Sequence, residues 1–407
     1  MRTWPEPFVP PVPPLDMAPL RLFDSYRVRV EPVDSDDPIT MYVCGITPYD
    51  ATHLGHAATY ISFDLVHRYL RCSGREVIFI ENVTDIDDPL FERAERDSVD
   101  WRDLGERQVD LFRSDMTNLR VLPPRELVSV SEAMVEIIGF IEHLIRSGLT
   151  YKVEDDLYLD SAKVTDFKDL PLPMTEALGV FAERGGDPSR IGKRHPLDPL
   201  LWRTSAPGEP EWEASFGSGR PGWHVECNAI SARLRSGQTI SLQGGGEDLV
   251  FPHHYMTSIQ GRAYSGSDFA HNFVHTGMIG FHGTKMSKSL GNLVFVSRLV
   301  KDGADPMAIR IALLFGHYRK YREWSQALLD EATILLQDLR QLLARESIFD
   351  YAALMQSIAD LLSQDLDTEG VIREIREFIH KNQNSPGGER SPGALARFLD
   401  SMLGITL

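Results

Sequence analysis

Residues 40–83 constrain the fold more than any other part of the sequence. Residues 40–46 read as a short buried strand, and residues 76–83 read as the next strand. Between them, residues 53–70 read as a helix with one apolar face, formed by Leu54, Ala58, Ile61, Leu65 and Tyr69. A strand, a glycine-bearing turn, a helix and a strand within about 45 residues predict a βαβ unit. We therefore expect a parallel sheet with ligand sites at the carboxyl ends of its strands.

The parallel pattern resumes after a long interruption. Helical patterns near 88–118 and 129–147 precede a hairpin-like segment at 151–161, and an irregular region rich in Gly and Pro continues to Gly222. We interpret this part as an insertion between two halves of the sheet. The second half then offers a strand at 238–242, glycines at 244–246, a helix after Pro252, a strand at 272–279 and a loop at 280–292.

The two ends of the chain differ from the middle in composition. The first 20 residues hold seven prolines, which is typical of an extended arm. Leucines after Ser325 recur at helical spacing, and residues 321–407 carry eight Lys or Arg against fourteen Asp or Glu, a poor surface for RNA. The predicted segments are an arm (1–38), the first half of a Rossmann-like α/β catalytic domain (39–120), an insertion (121–221), the second half (222–320) and a C-terminal helical bundle (321–407).

Composition excludes several classes of function. At roughly 150 residues per domain, the 407 residues leave room for two or three domains. A net charge of −17 argues against a general nucleic-acid coat or a polybasic membrane binder. Cys44, Cys72 and Cys227 are too few and too scattered for a disulfide framework. With no recognisable signal peptide or long apolar span, we expect a cytoplasmic protein with no membrane contact.

Two histidines mark the start of the first predicted helix. His53 and His56 lie three residues apart, beside backbone N–H groups that we expect to be unpaired at the positive end of the helix dipole. This arrangement suits a phosphate. Gly55 lets a nucleotide approach the backbone, and the imidazoles can donate to a phosphoryl oxygen as charge develops. Ordinary helix residues are the alternative.

A second motif lies in the loop near residue 287. Lys285, Ser287, Lys288 and Ser289 supply two ammonium groups and two hydroxyls between glycines, which suits a departing diphosphate. The alternative is a solvated basic loop. Both motifs, in this order across a split parallel sheet, resemble the nucleotide-binding signatures of class I aminoacyl-tRNA synthetases.

Two cysteines and a histidine form a third constellation. Cys44 ends the first strand, Cys227 closes the string Gly222 to Cys227, and His253 follows Pro252. Two thiolates and an imidazole suit Zn²⁺ and leave its fourth tetrahedral position open. The alternatives are buried, unreactive cysteines, or a closed structural zinc completed by His224, His254 or Cys72. Cys44 argues against the closed site because it lies nine residues before His53, so a metal there would adjoin the nucleotide.

The resemblance becomes specific when the motifs are read together. Over residues 40–320 the chain resembles cysteinyl-tRNA synthetase, and it resembles more closely the paralogous ligases of mycothiol biosynthesis, which join cysteine to glucosaminyl-inositol. The strings that carry the resemblance are Cys44 to Asp50, His53 to His56, Asn82 to Asp88, Gly222 to Cys227, Phe251 to His254 and Lys285 to Ser289. The proline-rich arm, Glu183 to Pro188 and the ending at residue 407 point to the ligases. So does Thr257, where the tRNA synthetase usually has a glutamate that completes a four-ligand zinc site.

The resemblance implies an AMP-forming carbon–nitrogen ligase that works through cysteinyl-AMP. It implies one Zn²⁺ per chain on Cys44, Cys227 and His253, and ATP as co-substrate with Mg²⁺. The implied partners are ATP, L-cysteine and glucosaminyl-inositol, without nucleic acid or membrane, and we expect a monomer. The implied catalytic residues are His53, His56, Lys285 and Lys288. The implied cysteinyl-adenylate contacts are Cys44, Gly45, Ile46, Thr47, Thr59, Asn82, Val83, Thr84, Trp223, Gly246, Glu247, Asp248 and the backbone of Ile279.

Some of these residues have simpler explanations. Thr59 can be an ordinary helix residue, Trp223 a core residue, and Glu247 stands where we expect a smaller side chain. Asp85, Asp87 and Asp88 can orient an amino group or Mg²⁺, although we expect at least two of them to cap helices. Residues 183–188 line an acceptor pocket or form a turn. The rival functions are a truncated cysteinyl-tRNA synthetase that charges tRNA and a catalytically inactive zinc-binding paralogue.

Overall fold

The computed structural model describes residues 1–33, 38–49, 52–235, 238–286, 291–344, 351–382 and 393–407. Among these residues, no helix combines the length and apolar character that a membrane span requires. The described strands are β1 (Arg21–Asp24), β2 (Arg29–Pro32), β3 (Ile39–Ile46), β4 (Val77–Val83), β5 (Glu126–Ser129), β6 (Thr150–Val153), β7 (Asp156–Leu159), β8 (Leu200–Arg203), β9 (Arg220–Pro221), β10 (Ile240–Gly246), β11 (Ala270–Thr276), β12 (Ile279–Phe281), β13 (Thr284–Lys285) and β14 (Arg322–Trp324). The described α-helices are α1 (Leu54–Cys72), α2 (Asp88–Asp97), α3 (Trp101–Asn118), α4 (Met134–Arg146), α5 (Met174–Glu183), α6 (Trp223–Arg235), α7 (Tyr255–Ser265), α8 (Val296–Lys301), α9 (Pro306–Leu314), α10 (Gln326–Leu343), α11 (Tyr351–Ser363), α12 (Thr368–Asn382) and α13 (Ala394–Leu403).

A five-stranded parallel sheet forms the centre of the molecule, as the βαβ pattern predicts. Its strand order is β11-β10-β3-β4-β5, and each neighbouring pair is parallel. One apolar cluster joins the sheet to α1, α9 and the terminal helices, and a second joins its other face to α4, α6 and α7. Because both faces are covered, β3 is almost wholly buried and reads as a continuous apolar run. The two halves of the chain meet where β3 pairs with β10.

Helix α1 crosses one face of the sheet. Its predicted apolar face is buried, but so are polar side chains beside that face, Asp64 and Arg68. This side of α1 is covered because α9, α11 and α13 pack against the helix. The one-sided helix expected from the sequence is therefore buried between the sheet and the terminal helices.

The insertion has more regular structure than its composition suggests. The hairpin of β6 and β7 confirms the prediction at 151–161, and β8 and β9 extend it to a four-stranded antiparallel sheet. Helix α5 also lies in the region we interpret as irregular. The expected start of the insertion at residue 121 needs correction because β5 pairs with β4 in the central sheet. Four residues are too short a run to stand out as a strand in the sequence, so the insertion begins after Ser129.

The two ends of the chain pack on the catalytic domain. The proline-rich arm is anchored where the Trp4 indole donates to the Val121 carbonyl at 2.8 Å, and the arm also contains the unexpected hairpin of β1 and β2. Ser325 caps α10, as the helical pattern after this residue predicts. Strand β14 pairs with β12 in a separate three-stranded sheet that also contains β13. The helical bundle expected from residue 321 therefore starts after residue 325.

Candidate functional site

One cleft of about 400 Å³ opens at the carboxyl ends of β3, β4, β10 and β11. It brings together most of the residues that the sequence nominates: Cys44, Gly45, Thr47, His53, His56, Thr59, Asn82, Thr84, Trp223, Cys227, Gly246, Asp248, His253 and Lys285. Ile46, Val83, Glu247 and Ile279 do not line the cleft, and Lys288 lies outside the described residues. Because the carboxyl ends of parallel strands share one edge, residues distant in sequence converge there.

His53 stands at the start of α1 as its N-cap. Its Nδ1 accepts from the backbone N–H of Gly55 at 3.1 Å and of His56 at 3.4 Å, and the two imidazoles stack with centroids 3.8 Å apart. The N–H groups that we expect to be unpaired are therefore capped by His53 itself, and the Leu54 N–H donates to the Val294 carbonyl. Since Nδ1 accepts, a neutral His53 carries its proton on Nε2.

The charge state of His53 follows from its surroundings. Burial, the neighbouring His56 and the ammonium of Lys285 together hold the pKa of His53 well below its usual value. His53 is therefore neutral near pH 7 and can donate one hydrogen bond without carrying charge. A Cβ at Gly55 would lie 2.8 Å from Cε1 of His53, so the glycine leaves room for this ring.

Lys285 reaches the cleft from the edge of the small sheet. It lies in β13, pairs with Gly280 of β12, and lines the same cleft as His53. The next residue, Met286, donates its backbone N–H to the Ile279 carbonyl at 3.1 Å. Ile279 therefore uses its carbonyl to hold the first part of the loop that follows β12.

The Cys/Cys/His cluster has the geometry of a metal site. The ligand atoms of Cys44, Cys227 and His253 all lie within 4.8 Å of one another, and all three residues are buried. The two sulfurs are 3.7 Å apart, whereas a disulfide bond measures about 2 Å. With Zn–S bonds of about 2.3 Å, a tetrahedral ion separates two sulfurs by roughly 3.8 Å. The residues thus fit a tetrahedral ion both in donor chemistry and in spacing.

The groups behind the cluster hold His253 in place. Its Nε2 lies 3.2 Å from the Cys227 sulfur, while its Nδ1 lies 3.1 Å from Nδ1 of His224. Trp223 stacks on the His253 ring with centroids 4.2 Å apart and lines the cleft. A partner on the remote nitrogen of a ligating histidine is a common feature of metal sites.

The structure also bears on the closed-site alternatives. His224 contacts the remote nitrogen of His253, and the group of possible ligand atoms among the described residues contains neither His254 nor Cys72. His254 Nε2 approaches only the Cys44 sulfur of the cluster, at 3.2 Å, and its Nδ1 contacts His275 at 2.7 Å. The three-residue cluster therefore faces the cleft without a fourth side-chain ligand among the described residues.

The two thiols do not ionise alike. The pKa of Cys227 lies well below its usual value because the Cys44 thiol hydrogen bonds to it and His253 lies beside it. Since a metal binds the thiolate form, an easily ionised Cys227 favours metal binding near neutral pH.

Hydrogen bonds join the strand ends that form the cleft floor. The Gly45 N–H donates to Asn82 Oδ1 at 2.9 Å, and Asn82 Nδ2 donates to the Thr84 hydroxyl at 3.1 Å. A Cβ on Gly45 would lie 1.6 Å from the Asn82 carbonyl oxygen, so only glycine fits there. Thr59 lies 2.7 Å from the Thr276 hydroxyl across the cleft. These contacts fix the polar groups that line this part of the cleft.

The acidic residues after β4 have separate roles. Asp87 is the N-cap of α2 and lines the cleft, where burial and the neighbouring Asp88 raise its pKa to about 6. Asp85 instead accepts from the Ser131 N–H at 3.0 Å, and Asp88 pairs with Arg220 and Arg203. The expectation that at least two of them cap helices is wrong: Asp87 alone caps α2. Asp85 and Asp88 instead interact with residues that are distant in sequence, Ser131 for the first and Arg203 and Arg220 for the second.

Several residues of the cleft are absent from the sequence-based list. They include Tyr49, Tyr60, Thr276, Gly277, Met286 and Leu293. Thr276 ends β11 and Gly277 follows it. Because ligand sites lie at the carboxyl ends of parallel strands, the sequence could have indicated these two residues. Arg184 comes from the insertion and pairs with Asp248 at 3.5 Å, a contact that local sequence does not reveal. Glu247 accepts from the Met278 N–H at 3.2 Å and so braces the cleft from outside.

Comparisons with known proteins agree with this fold and site. Residues 30–334 match the family described as tRNA synthetases class I (C) catalytic domain. The solved Mycobacterium tuberculosis methionyl-tRNA synthetase in complex with methionyl-adenylate has a TM-score of 0.62 at 17% identity, with 91% of this chain and 89% of that chain covered. The LeuRS of Agrobacterium radiobacter K84 has a TM-score of 0.62 at 12% identity, with 92% and 83% covered. The fold and the family match define a class I synthetase catalytic domain.

Curated relatives narrow the assignment. The L-cysteine:1D-myo-inositol 2-amino-2-deoxy-alpha-D-glucopyranoside ligase of Mycolicibacterium gilvum is 48% identical over all of this chain and 93% of its own length. The proteins of that name from Mycolicibacterium smegmatis and Gordonia bronchialis are each 48% identical, with both chains fully covered. The chain belongs to this ligase family, within the class I synthetases, as its motifs predict.

Proposed function

We propose that this protein joins the carboxyl group of L-cysteine to the amine of 1D-myo-inosityl 2-amino-2-deoxy-α-D-glucopyranoside, with ATP consumed and AMP and diphosphate released. One observation carries the proposal: a Cys/Cys/His cluster and the paired histidines of α1 line the same cleft of about 400 Å³. Formation of cysteinyl-AMP requires such a place for a thiol beside a place for a nucleotide. The product would serve mycothiol biosynthesis.

In the first step a carboxylate oxygen of cysteine attacks the α-phosphorus of ATP, which enters with Mg²⁺. The bond from this phosphorus to diphosphate breaks, and cysteinyl-AMP remains. His53, which lines the cleft, donates from Nε2 to a phosphoryl oxygen as charge develops, with His56 beside it. Lys285 stabilises the departing diphosphate, and Lys288 shares this role.

Selection of cysteine is assigned to the Cys44, Cys227 and His253 cluster, which fits one Zn²⁺ per chain. When bound, this ion supplies a fourth coordination position that a soft thiolate fills far better than the hydroxyl of serine. Trp223 stacks on His253 and walls the space that remains for a small side chain. No separate editing site is then needed.

In the second step the neutral amine of the acceptor attacks the carbonyl carbon of cysteinyl-AMP. The new C–N bond forms, the C–O bond to the phosphate breaks, and AMP leaves with the electron pair. The amine nitrogen gives up one proton to solvent. The polar groups at the ends of β3 and β4, Asn82 and Thr84 among them, hold the adenylate in place for this attack.

A truncated cysteinyl-tRNA synthetase is the first rival. The buried Thr257 donates its hydroxyl to the His253 carbonyl at 2.8 Å, and it has no carboxylate to offer a metal. The acidic composition of residues 321–407 also disfavours RNA. We therefore propose that the protein acts without a nucleic-acid partner. We also propose that it acts as a monomer. Its free cysteines suit the reducing cytoplasm.

A cysteine-dependent exchange of label between diphosphate and ATP tests adenylate formation. Wild-type protein is expected to exchange label with cysteine and at least 100-fold more slowly with serine. An inactive zinc-binding paralogue, the second rival, would give no exchange with either amino acid. A His53→Ala variant serves as the negative control and is expected to lose exchange. In this variant the cysteine cluster stays intact while the proposed phosphoryl contact is lost.

A further inference from the structure

A second cleft adjoins the first and is not used by the adenylation step. It encloses about 560 Å³ between the insertion and the start of α6. Arg184 and Trp223 line both clefts, so the two are neighbours that share a wall. Most of the described residues assigned to ATP and cysteine line the first cleft, whereas the second substrate of the ligation still needs a place within reach of the adenylate.

Part of the wall of the second cleft is built by Arg184, Gly185, Gly186 and Asp187. These residues belong to the string Glu183 to Pro188, which the adenylation step leaves without a role. Gly185, at φ +83°, reverses the chain after α5. A Cβ on Gly186 would lie 2.5 Å from the Phe181 ring, so the turn packs too tightly for any other residue. This turn carries Asp187 back to β7, where it accepts from the Tyr158 hydroxyl and from Lys193.

The charged groups around the cleft are held in fixed positions. Arg190 donates to Asp156 and to the Tyr158 hydroxyl, and the Thr204 N–H donates to Asp156 at 2.9 Å. Such cross-links fix the side chains before any ligand arrives, which reduces the ordering cost of binding. Asp155 stands apart, because this exposed carboxylate has no hydrogen bond or ion pair with any other residue in the described ranges.

The chemistry of the lining matches a hydroxyl-rich amine. Groups of both charge signs line the cleft, four carboxylates and two guanidinium groups besides that of Arg184: Glu154, Asp155, Asp156, Asp187, Arg190 and Arg203. Carboxylates accept from hydroxyl and ammonium groups, and guanidinium groups donate to hydroxyl oxygens, with charge-assisted hydrogen bonds. A purely anionic ligand would meet the acidic groups unfavourably.

We infer that the second cleft is the subsite for the amino-sugar polyol acceptor, with Asp155 as a direct ligand of its hydroxyl or ammonium groups. The inference rests on the proposed function and specifies where its second substrate binds. Arg184 and Trp223 lie at the passage through which the acceptor amine reaches the adenylate carbonyl. The string Glu183 to Pro188 is then a wall of the acceptor site rather than a turn alone.

Steady-state release of AMP with varied glucosaminyl-inositol tests the subsite. Asp155→Asn removes one charge without breaking a protein contact, and it is expected to raise the KM for the acceptor about tenfold. Thr204→Tyr adds bulk from a second side of the cleft while the backbone bond to Asp156 remains, and it is expected to raise the same KM. Glu176→Gln, an exposed change on α5 outside both clefts, is the matched control and is expected to leave that KM unchanged.

The exchange of label between diphosphate and ATP separates the possible failures, because it needs no acceptor. The inference predicts that Asp155→Asn and Thr204→Tyr keep the wild-type dependence of exchange on cysteine while the acceptor KM rises. An acceptor KM within twofold of wild type in both variants would overturn the subsite, and so would an equal loss in exchange and ligation. If the wild-type protein itself gives no exchange, the proposed function fails instead.

Discussion

Cys44, Cys227 and His253 come from three separate elements, near the end of β3, in the first turns of α6 and just before α7. Their burial removes water that would compete for a metal, and the contact of His224 with His253 orients the imidazole. A thiol, a thiol and an imidazole favour Zn²⁺ over the hard cations Mg²⁺ and Ca²⁺. At the residue scale, the proposed choice of cysteine therefore depends on these three side chains.

Removal of one thiol tests the cluster directly. Cys44→Ser is expected to reduce bound zinc from one ion per chain to less than a tenth of that, because a hydroxyl is a poor ligand for this ion. Elemental analysis of protein purified without chelators measures it, independently of activity. Cys72→Ser is the matched control, since Cys72 lies at the far end of α1 and should leave zinc unchanged. Full zinc content in Cys44→Ser would contradict the assignment.

The pH dependence of adenylation tests the part played by Asp87. Burial and the neighbouring Asp88 raise its pKa to about 6, so the carboxylate loses its proton as the pH rises through that value. If the charged form holds the substrate ammonium in the cleft, the exchange rate at low cysteine rises with pH through about 6. Asp87→Asn should abolish this rise. Asp88→Asn removes the second cause of the raised pKa, so it should move the rise in exchange rate to lower pH. An unchanged pH profile in Asp87→Asn would exclude a role for Asp87 in holding the substrate ammonium.

At the scale of elements, α1 links the proposed nucleotide site to the sheet. The strand β3 brings Cys44 to the cleft, and the segment that follows brings His53 to the N-terminus of α1, where its Nδ1 caps the helix. The same side chain thus caps the N-terminus of a helix and lines the cleft. We therefore expect the position of the ring to be sensitive to a side chain at position 55.

Gly55→Ala tests that sensitivity. The added Cβ would lie within 2.9 Å of Nδ1 and Cε1 of His53, and the imidazole can yield more easily than backbone. We expect a loss of at least tenfold in exchange rate with a melting temperature close to that of wild type. Gly139→Ala on α4, where a Cβ meets nothing within 4 Å, should keep full activity and gain about 0.5–1 kcal/mol in stability. Equal activity in both variants would contradict this account of His53.

The elements differ in how well the sequence predicts them. The βαβ unit and α10 are predictable because long periodic patterns coincide with strong breakers and a capping serine. Short pieces such as β5, with four residues, and β9, with two, depend on a partner strand and leave no pattern of their own. The same limit applies within the site: residue types nominate Cys44, Cys227 and His253, whereas the approach of Arg184 depends on how the insertion packs on the catalytic domain.

On the scale of the whole molecule, a buried ionic network ties the terminal helices to the catalytic domain. Asp64 of α1 accepts from Arg68 and Arg310, and these two guanidinium groups also donate to the carbonyls of Asp400 and Leu403. Burial alone would raise the pKa of Asp64, but the two guanidinium groups lower it overall. The carboxylate therefore stays charged and compensates the buried guanidinium groups between the sheet and the bundle.

Loss of that carboxylate is expected to be costly. Asp64→Asn leaves the two arginines without their charged partner in the interior, which destabilises a protein by about 3–5 kcal/mol. Urea unfolding of the two proteins measures the difference. Asp302→Asn breaks the exposed pair with Arg298 and should cost less than about 1 kcal/mol. Similar losses in the two variants would mean that the buried network does not hold the bundle in place.

The most direct measurement is AMP release from ATP and cysteine with two alternative acceptors. Glucosaminyl-inositol and cysteine-accepting tRNA are supplied separately to the same preparation, and the amide product is identified by mass. The account predicts rapid AMP release and a cysteinyl amide with the amino sugar, and only background AMP release with tRNA. Release that depends on tRNA, with no amide from the amino sugar, would contradict it.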